Sequence, residues 1–309
     1  MALDSDRDLQ LDRGSKGMRY YRNAVERHWD PGEISLDTDR ERLIEYLEAN
    51  PDREVVFDVL RQNVARFGAG EQAVTEDLAP LATALDDIDD QMFVTTQLYE
   101  EAKHTDFFDR YWREVIHAAE DELGLERSSP TDPVWYNDDY NELFERNERA
   151  MAALLDDPTP ETFAEAYCHY HLTIEGILAQ TGYYGMQQSF AEDSHPELPA
   201  LPGLYRGFTK IRQDEGRHVG FGMTKLKELL TEEDVDPALL SETVVELMPL
   251  VNGITAEENE QNEDFGPTPD ELRAFASEKH VDRMEQITDA SEDIPDVETL
   301  TQLDGVDAD

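Results

Sequence analysis

Basic residues and cysteine are both scarce in this chain of 309 residues. Lys and Arg together number 26 against 72 Asp and Glu, a formal net charge of −46. Lysine is confined to Lys16, Lys103, Lys210, Lys225, Lys227 and Lys279. So small a basic complement gives no footprint for a phosphate backbone, which excludes nucleic acid as a partner. It speaks equally against an anionic membrane surface. The lone cysteine, Cys168, excludes an internal disulfide and fits a reducing cytoplasm. No apolar run approaches the roughly 20 residues of a membrane helix. The N-terminal MALDSDRDLQLDRGSKG lacks the apolar stretch of a secretory signal. A cytoplasmic protein without a membrane span is expected.

Carboxylate and core material are what the chain has instead. Its hydrophobic content is 39%, with 12 Phe, 12 Tyr and 3 Trp, which separates it from acidic disordered chains. A folded chain at −46 repels itself, and salt relieves this because the Debye length shrinks to about 3 Å at 1 M. The expected setting is therefore a high-salt cytoplasm, that of a halophile.

Apolar positions recur every three and four residues, and alternating β-branched runs are lacking, so the fold class is all-α. Residues 1–17 read as a flexible polar arm, 18–288 as one helical domain and 289–309 as an acidic tail. Caps and breakers place helices at about 39–49, 52–85, 87–123, 137–155, 160–190 and 204–230. Shorter ones follow near 236–251, 256–264 and 268–288 by the same reading. Gly68, Gly70 and Pro80 predict a kink or local unwinding in the second helix. Long helices with short connections make antiparallel neighbours in a bundle. No internal repeat is evident, and no low-complexity block apart from the acidic bias.

Two of these helices carry Glu-x-x-His: Glu101 with His104, and Glu215 with His218. Residues three apart share a helix face, so each pair can bind one metal from one side. The pattern alone is weak, since Glu114/His117 and Glu192/His195 also match it. His117 lies 13 residues beyond His104 and points off that face, and Glu192/His195 sit in a proline-rich loop. Both read as solvated surface. The other two pairs gain weight from Glu71, thirty residues before Glu101, and Glu175, forty before Glu215. Glu175 stands among Leu172, Ile174, Ile177 and Leu178, where an ionised carboxylate is costly unless paired or metal-bound. Glu, Glu-x-x-His, Glu, Glu-x-x-His on four long helices is the pattern of a dinuclear carboxylate bundle. Carboxylate and imidazole without thiolate suit Fe and Mn better than structural zinc.

The segments GEQAVTEDLAP, LYEEAKHTDFF and IRQDEGRHVGFG resemble the ribonucleotide reductase small-subunit superfamily of ferritin-like proteins. Within it they resemble most the ligand-binding oxidases related to that subunit, over about residues 18–285. Where a reductase subunit usually carries its radical tyrosine, one turn after the first metal histidine, this chain has Phe108. A reductase subunit also passes its radical through a C-terminal tyrosine, and here no Tyr or Trp follows Tyr205. The oxidases are known for a valine–tyrosine ether cross-link, and Val74 and Tyr170 stand at the two matching positions.

The resemblance implies a ferritin-like bundle with flanking helices and a heterodinuclear Mn/Fe cofactor, with Fe/Fe as the alternative. It implies Mn held by Glu71, Glu101 and His104, and Fe held by Glu175, Glu215 and His218, with Glu101 bridging. Asp214 would orient His104 from behind. O₂ and a long-chain fatty acid, or another hydrophobic small molecule, would be the substrates, oxidised by two electrons. A homodimer is implied as well. Gly68, Gly70 and Gly176 thin the walls beside the ligands, compatible with a ligand channel or with close helix packing. A reductase small subunit and a ferritin-like iron store are the alternatives. His28, His169, His171, His195 and His280 are left as surface or packing residues.

Overall fold

The computed structural model describes residues 11–50, 54–260, 266–289 and 293–300, and every regular element among them is helical. Helix α1 (Lys16–Glu26) starts at Ser15, whose hydroxyl accepts the Met18 amide. It precedes the first expected helix and packs along α5 (Ile88–Tyr111). Residues 12 and 15 are tied to the same helix: the Asp12 amide and the Ser15 hydroxyl both donate to Asp89. Residues 1–10 of the expected arm lie outside the described residues.

α2 (Asp37–Ala49) is followed by α3 (Glu54–Asp77) and α4 (Ala79–Ala84). The expected interruption falls at Pro80, which lacks an N–H and suits the first turn of α4, whereas α3 runs unbroken through Gly68 and Gly70. α5 (Ile88–Tyr111) continues through a π-wound turn, Trp112–Ile116, into α6 (His117–Leu123). Gly124, at φ 68°, ends it in the left-handed conformation. α7 (Asp138–Asp156) begins on Asn137. α8 (Pro160–Tyr167), a π-wound stretch Cys168–Ala179, and α9 (Gln180–Phe190) form the rod expected over 160–190.

α10 (Pro202–Glu232) is the longest element, with 31 residues. α11 (Pro237–Glu260) is one helix where two are expected, with Pro249 inside it. α12 (Pro269–Thr288) opens with a reciprocal cap between Thr268 and Glu271. α13 (Val297–Leu300) packs on α10 with Val297 and Leu300 buried. Residues 290–292 and 301–309 of the expected tail lie outside the described residues.

α3 packs along α5, and the Cys168–Ala179 stretch packs along α10. Contacts between α5 and α10 join the two pairs into a four-helix core. Two apolar clusters fill it. On α5, Phe93 and Val94 belong to one and Phe107, Phe108 and Tyr111 to the other, with Glu101 and His104 between them in sequence. The start of α10 is fixed from a distance. Buried Asp39 accepts the Gly203 and Leu204 amides at 2.7 Å each, and the Tyr111 hydroxyl at 3.2 Å. Its negative charge meets the positive end of the helix dipole.

The α5–α10 crossing depends on Gly207. A Cβ there would lie 2.0 Å from Phe107 Cζ, and Phe107 is fully buried. Gly207→Ala is expected to destabilise the protein by about 1–3 kcal/mol through overpacking. Thermal melts read this as a Tm lowered by several degrees; an unchanged Tm would mean the crossing is slack.

Candidate metal centre

Each helix of the core brings its part of the expected set. Glu71 comes from α3, Glu101 and His104 from α5, Glu175 from the π-wound stretch, and Glu215 and His218 from α10. All six are buried. They fall into two overlapping groups whose ligand atoms lie within 4.8 Å of one another: Glu71, Glu101, His104 and Glu215, and Glu101, Glu175, Glu215 and His218. Glu101 and Glu215 belong to both groups, so either can bridge two cations, where Glu101 alone is the expected bridge. Neither group contains Glu114/His117 or Glu192/His195. Glu114 pairs with Arg110, and His117 is half-buried rather than solvated because Ser128 and Trp112 enclose it.

Both histidines are oriented alike. His104 Nδ1 lies 3.2 Å from Glu101, 3.3 Å from Glu71 and 3.5 Å from Glu215. His218 Nδ1 lies 3.0 Å from Glu101, 3.1 Å from Glu175 and 3.5 Å from Glu215. One N–H cannot serve three carboxylates. The outer nitrogens have single carboxylate partners: His104 Nε2 meets Asp214 Oδ2 at 3.1 Å and His218 Nε2 meets Glu100 Oε2 at 2.9 Å. With the proton on Nε2, each Nδ1 lone pair faces converging carboxylates, an arrangement that needs a cation between them. Glu101, Glu175 and Glu215 each keep a buried Oε2 atom with no hydrogen-bond partner. Such atoms are costly unless something ligates them, so the residues fit a pair of hard divalent metals.

Asp214 stands where expected, behind His104. The structure adds its counterpart, Glu100 behind His218, which the sequence reading misses. A signal for it exists in the sequence. Glu100-Glu101-Ala102-Lys103-His104 and Asp214-Glu215-Gly216-Arg217-His218 share one pattern: acid, Glu, spacer, base, His. The fold crosses the two copies, so the leading acid of each serves the histidine of the other. Trp29 is also missed. Its Nε1 donates to Asp214 Oδ2 at 2.8 Å, and its ring stacks on His104 at 6.2 Å between centroids.

Tyr170 is fully buried, and its hydroxyl donates to Glu101 Oε1 at 2.8 Å. Gln97 donates to the Tyr170 oxygen at 3.3 Å and to Glu175 Oε1 at 3.2 Å. His171 packs inward against Tyr170 and meets Gln97 at 3.4 Å. Val74, one turn after Glu71, shares an apolar cluster with Tyr170. The helix is π-wound here, and the Thr173 hydroxyl donates to the Cys168 carbonyl at 2.8 Å. A Cβ on Gly176 would stand 2.7 Å from the His171 carbonyl, so a glycine is required next to Glu175. Of the three expected thin-wall glycines, Gly70 lines the cavity beside the glutamates, and Gly68 abuts Phe108.

That cavity has a volume of about 70 Å³, opens towards solvent, and reaches Glu71, Glu101, Glu175 and Glu215. Its walls include Val74, Phe67, Phe144, Ile174, Leu178 and Tyr183. Phe108, at the expected radical-tyrosine position, lies behind it, packed on Phe67 and Phe208 at 5.6 Å each.

Burial raises the carboxyls of Glu71, to about 8, and of Glu175, well above the ordinary range, against the pull of the neighbouring imidazoles. Burial also acts on Glu101, but the two histidines outweigh it and hold that carboxyl well below the ordinary range. For His104 and His218 burial is outweighed by the carboxylates, and both are raised well above 6.5. Groups raised in the fold bind more protons folded than unfolded, so their stabilisation is present at low pH and lost as pH rises, for Glu71 by about pH 8. The lowered Glu101 acts only in acid. Chelator-treated protein is therefore expected to lose on the order of 3 kcal/mol of stability between pH 6 and 8.5. Bound divalent metal should remove that loss, because metal replaces the protons. Melts at the two pH values with and without metal check this; a metal-free protein more stable at pH 8.5 would contradict it.

No protein-family model matches the chain. Among solved structures, it is similar to an R2-like ligand-binding oxidase studied as a tyrosine-to-phenylalanine variant with aerobically reconstituted Mn/Fe cofactor. Identity is 28%, over 90% of this chain and 95% of that one, with a TM-score of 0.77. A valine-to-leucine variant with anaerobically reconstituted Mn/Fe cofactor matches at 28% identity, the same coverage and a TM-score of 0.77. A second tyrosine variant matches at 27% identity, again over 90% and 95% of the two chains, with a TM-score of 0.77. No helix among the described residues is long and apolar enough to cross a membrane. In its fold along nine-tenths of its length, and in the two overlapping Glu/His groups buried at its centre, the chain is similar to the R2-like ligand-binding oxidases, as an O₂-dependent dimetal oxidoreductase would be.

Proposed function

We propose that the chain holds one Mn and one Fe and uses O₂ to oxidise a bound long-chain fatty acid, or a similar hydrophobic ligand, by two electrons. The convergence of both Nδ1 atoms on four buried carboxylates carries this reading. Glu71 and His104 would hold one metal, Glu175 and His218 the other, with Glu101 and Glu215 reaching both. When bound, such a pair supplies the electrons and Lewis acidity that bring O₂ into reaction.

The chain supplies the remainder. Asp214 and Glu100 fix the imidazole tautomers, and Gln97 orients Glu175 and Tyr170. The apolar walls exclude water and bind an alkyl chain at about 0.8 kcal/mol per buried CH₂. That would leave the ligand's polar end against the glutamates. Val74 and Tyr170 are proposed to form an ether link during maturation. A Val74 side-chain carbon joins the Tyr170 oxygen, one C–H and one O–H bond break, and the two electrons and two protons go to O₂. Tyr170 already points its hydroxyl proton at Glu101.

Anomalous diffraction at the Mn and Fe edges, on crystals of protein loaded aerobically with both metals, tests the assignment. Two peaks among the six residues, with ligand density in the cavity, are expected. Metal found only on exposed carboxylates would refute it.

A homodimer in a high-salt cytoplasm completes the proposal. Outside the buried centre the charge of −46 is largely a solvated coat, and its self-repulsion weakens with screening. Tm is therefore expected to rise from dilute buffer to molar KCl; a melting curve indifferent to salt would count against the high-salt reading.

A further inference from the structure

The two acid–Glu–x–base–His copies differ in their base, and the difference has a consequence for the two metal positions. Arg217 is fully buried and its Nη2 donates to both leading acids, Glu100 Oε1 and Asp214 Oδ1. It therefore loads the two carboxylates alike. Lys103 does not. Its Nζ donates to Asp214 Oδ2 at 3.0 Å and lies over the Trp29 ring at 4.9 Å. Trp29 Nε1 donates to that same oxygen at 2.8 Å. Asp214 Oδ2 thus accepts from Lys103, Trp29 and His104 together, whereas Glu100 Oε2 accepts from His218.

A carboxylate oxygen shared among a cation and two N–H donors is a weaker acceptor than one bonded to a single imidazole. An imidazole that donates to a stronger acceptor is a more basic ligand. His218 is then the stronger donor to its metal and His104 the weaker. Fe(II) binds nitrogen and oxygen ligands more tightly than Mn(II), so a stronger-donor site favours Fe the more. Resting on the dimetal reading above, we infer that Lys103, acting through Asp214, is a positioning and specificity-determining residue: it weakens donation from His104 and so reserves the His104 position for Mn and the His218 position for Fe.

The test compares the full chain with Lys103→Met, Lys103→Arg and Glu100→Gln, each loaded anaerobically with equimolar Mn(II) and Fe(II). Anomalous diffraction at both edges gives the Fe:Mn ratio at each position separately, a readout that a merely structural role would not shift at one site alone. Lys103→Met relieves Asp214 of its cation, and the ratio at the His104 position should rise at least about threefold, with the His218 position unchanged. Lys103→Arg keeps the charge on Asp214 and should keep the native ratio. Glu100→Gln should lower the ratio at the His218 position instead, which makes the proposal testable even if Lys103→Met fails to fold. Unchanged ratios in folded Lys103→Met or in Glu100→Gln would overturn the inference, as would equal shifts at both positions. Failure of the dimetal reading looks different: the native chain itself would show no pair of metals at these residues.

Discussion

Glu101→Gln is expected to abolish the oxidase while leaving the helical bundle folded. Glu101 contacts both histidines: Oε1 lies 3.0 Å from His218 Nδ1 and Oε2 lies 3.2 Å from His104 Nδ1. It is also one of two carboxylates common to both ligand groups. Glutamine keeps the shape and one acceptor oxygen but loses the negative charge that two dications would share. Metal-ion catalysis rests on several kcal/mol of charge stabilisation, and each 1.36 kcal/mol is tenfold in rate, so turnover should fall about 10³-fold or more. Two-metal occupancy should fall with it. Metal stoichiometry after removal of loosely held ions, together with O₂ uptake, checks both. The washing step matters because the acidic surface will itself retain cations. Native stoichiometry and activity in the variant would show that the centre does not need the carboxylate both histidines face.

The second large effect concerns Tyr170. After aerobic loading with Mn and Fe, the Val74 and Tyr170 peptides of the native chain are expected to appear joined, two hydrogens lighter than their sum. Tyr170→Phe removes the oxygen that would form the ether, so the joined species should vanish entirely. Metal binding should survive, because the variant keeps all six carboxylate and imidazole ligands and loses only a hydroxyl that donates to Glu101. Val74→Ala tests the other partner: it removes side-chain carbons from a buried position and should also prevent the link. Peptide mass spectrometry before and after O₂ exposure decides this. Separate peptides in the loaded native chain would sink the cross-link while leaving the metal centre untouched.

Much of this centre was legible in the sequence because helices have a fixed period. Residues three apart must share a face, so Glu101 with His104 and Glu215 with His218 were pairs before any fold was known. Glu175 was marked by its apolar surroundings, which make an unpaired carboxylate costly. Pro80 marked the break between α3 and α4, since its missing N–H holds wherever it stands. What escaped were partners supplied across helices. Glu100 and Lys103 read as ordinary neighbours of ligands, and Trp29 lies in a segment with no expected element. The π winding at Cys168–Ala179 escaped too, because its residues are ordinary helix formers apart from Gly176.

Charge, helix content and the six converging residues were thus determined by the sequence itself, through properties that are local or additive. Net charge is a sum, and a helix face follows from spacing within one segment. Only the tertiary structure decided which carboxylate stands behind which histidine. The leading acid of each copy serves the other helix's histidine, and no spacing along one chain segment encodes that exchange. The packing of α5 against α10 sets it, at a crossing where Gly207 leaves room for the Phe107 ring.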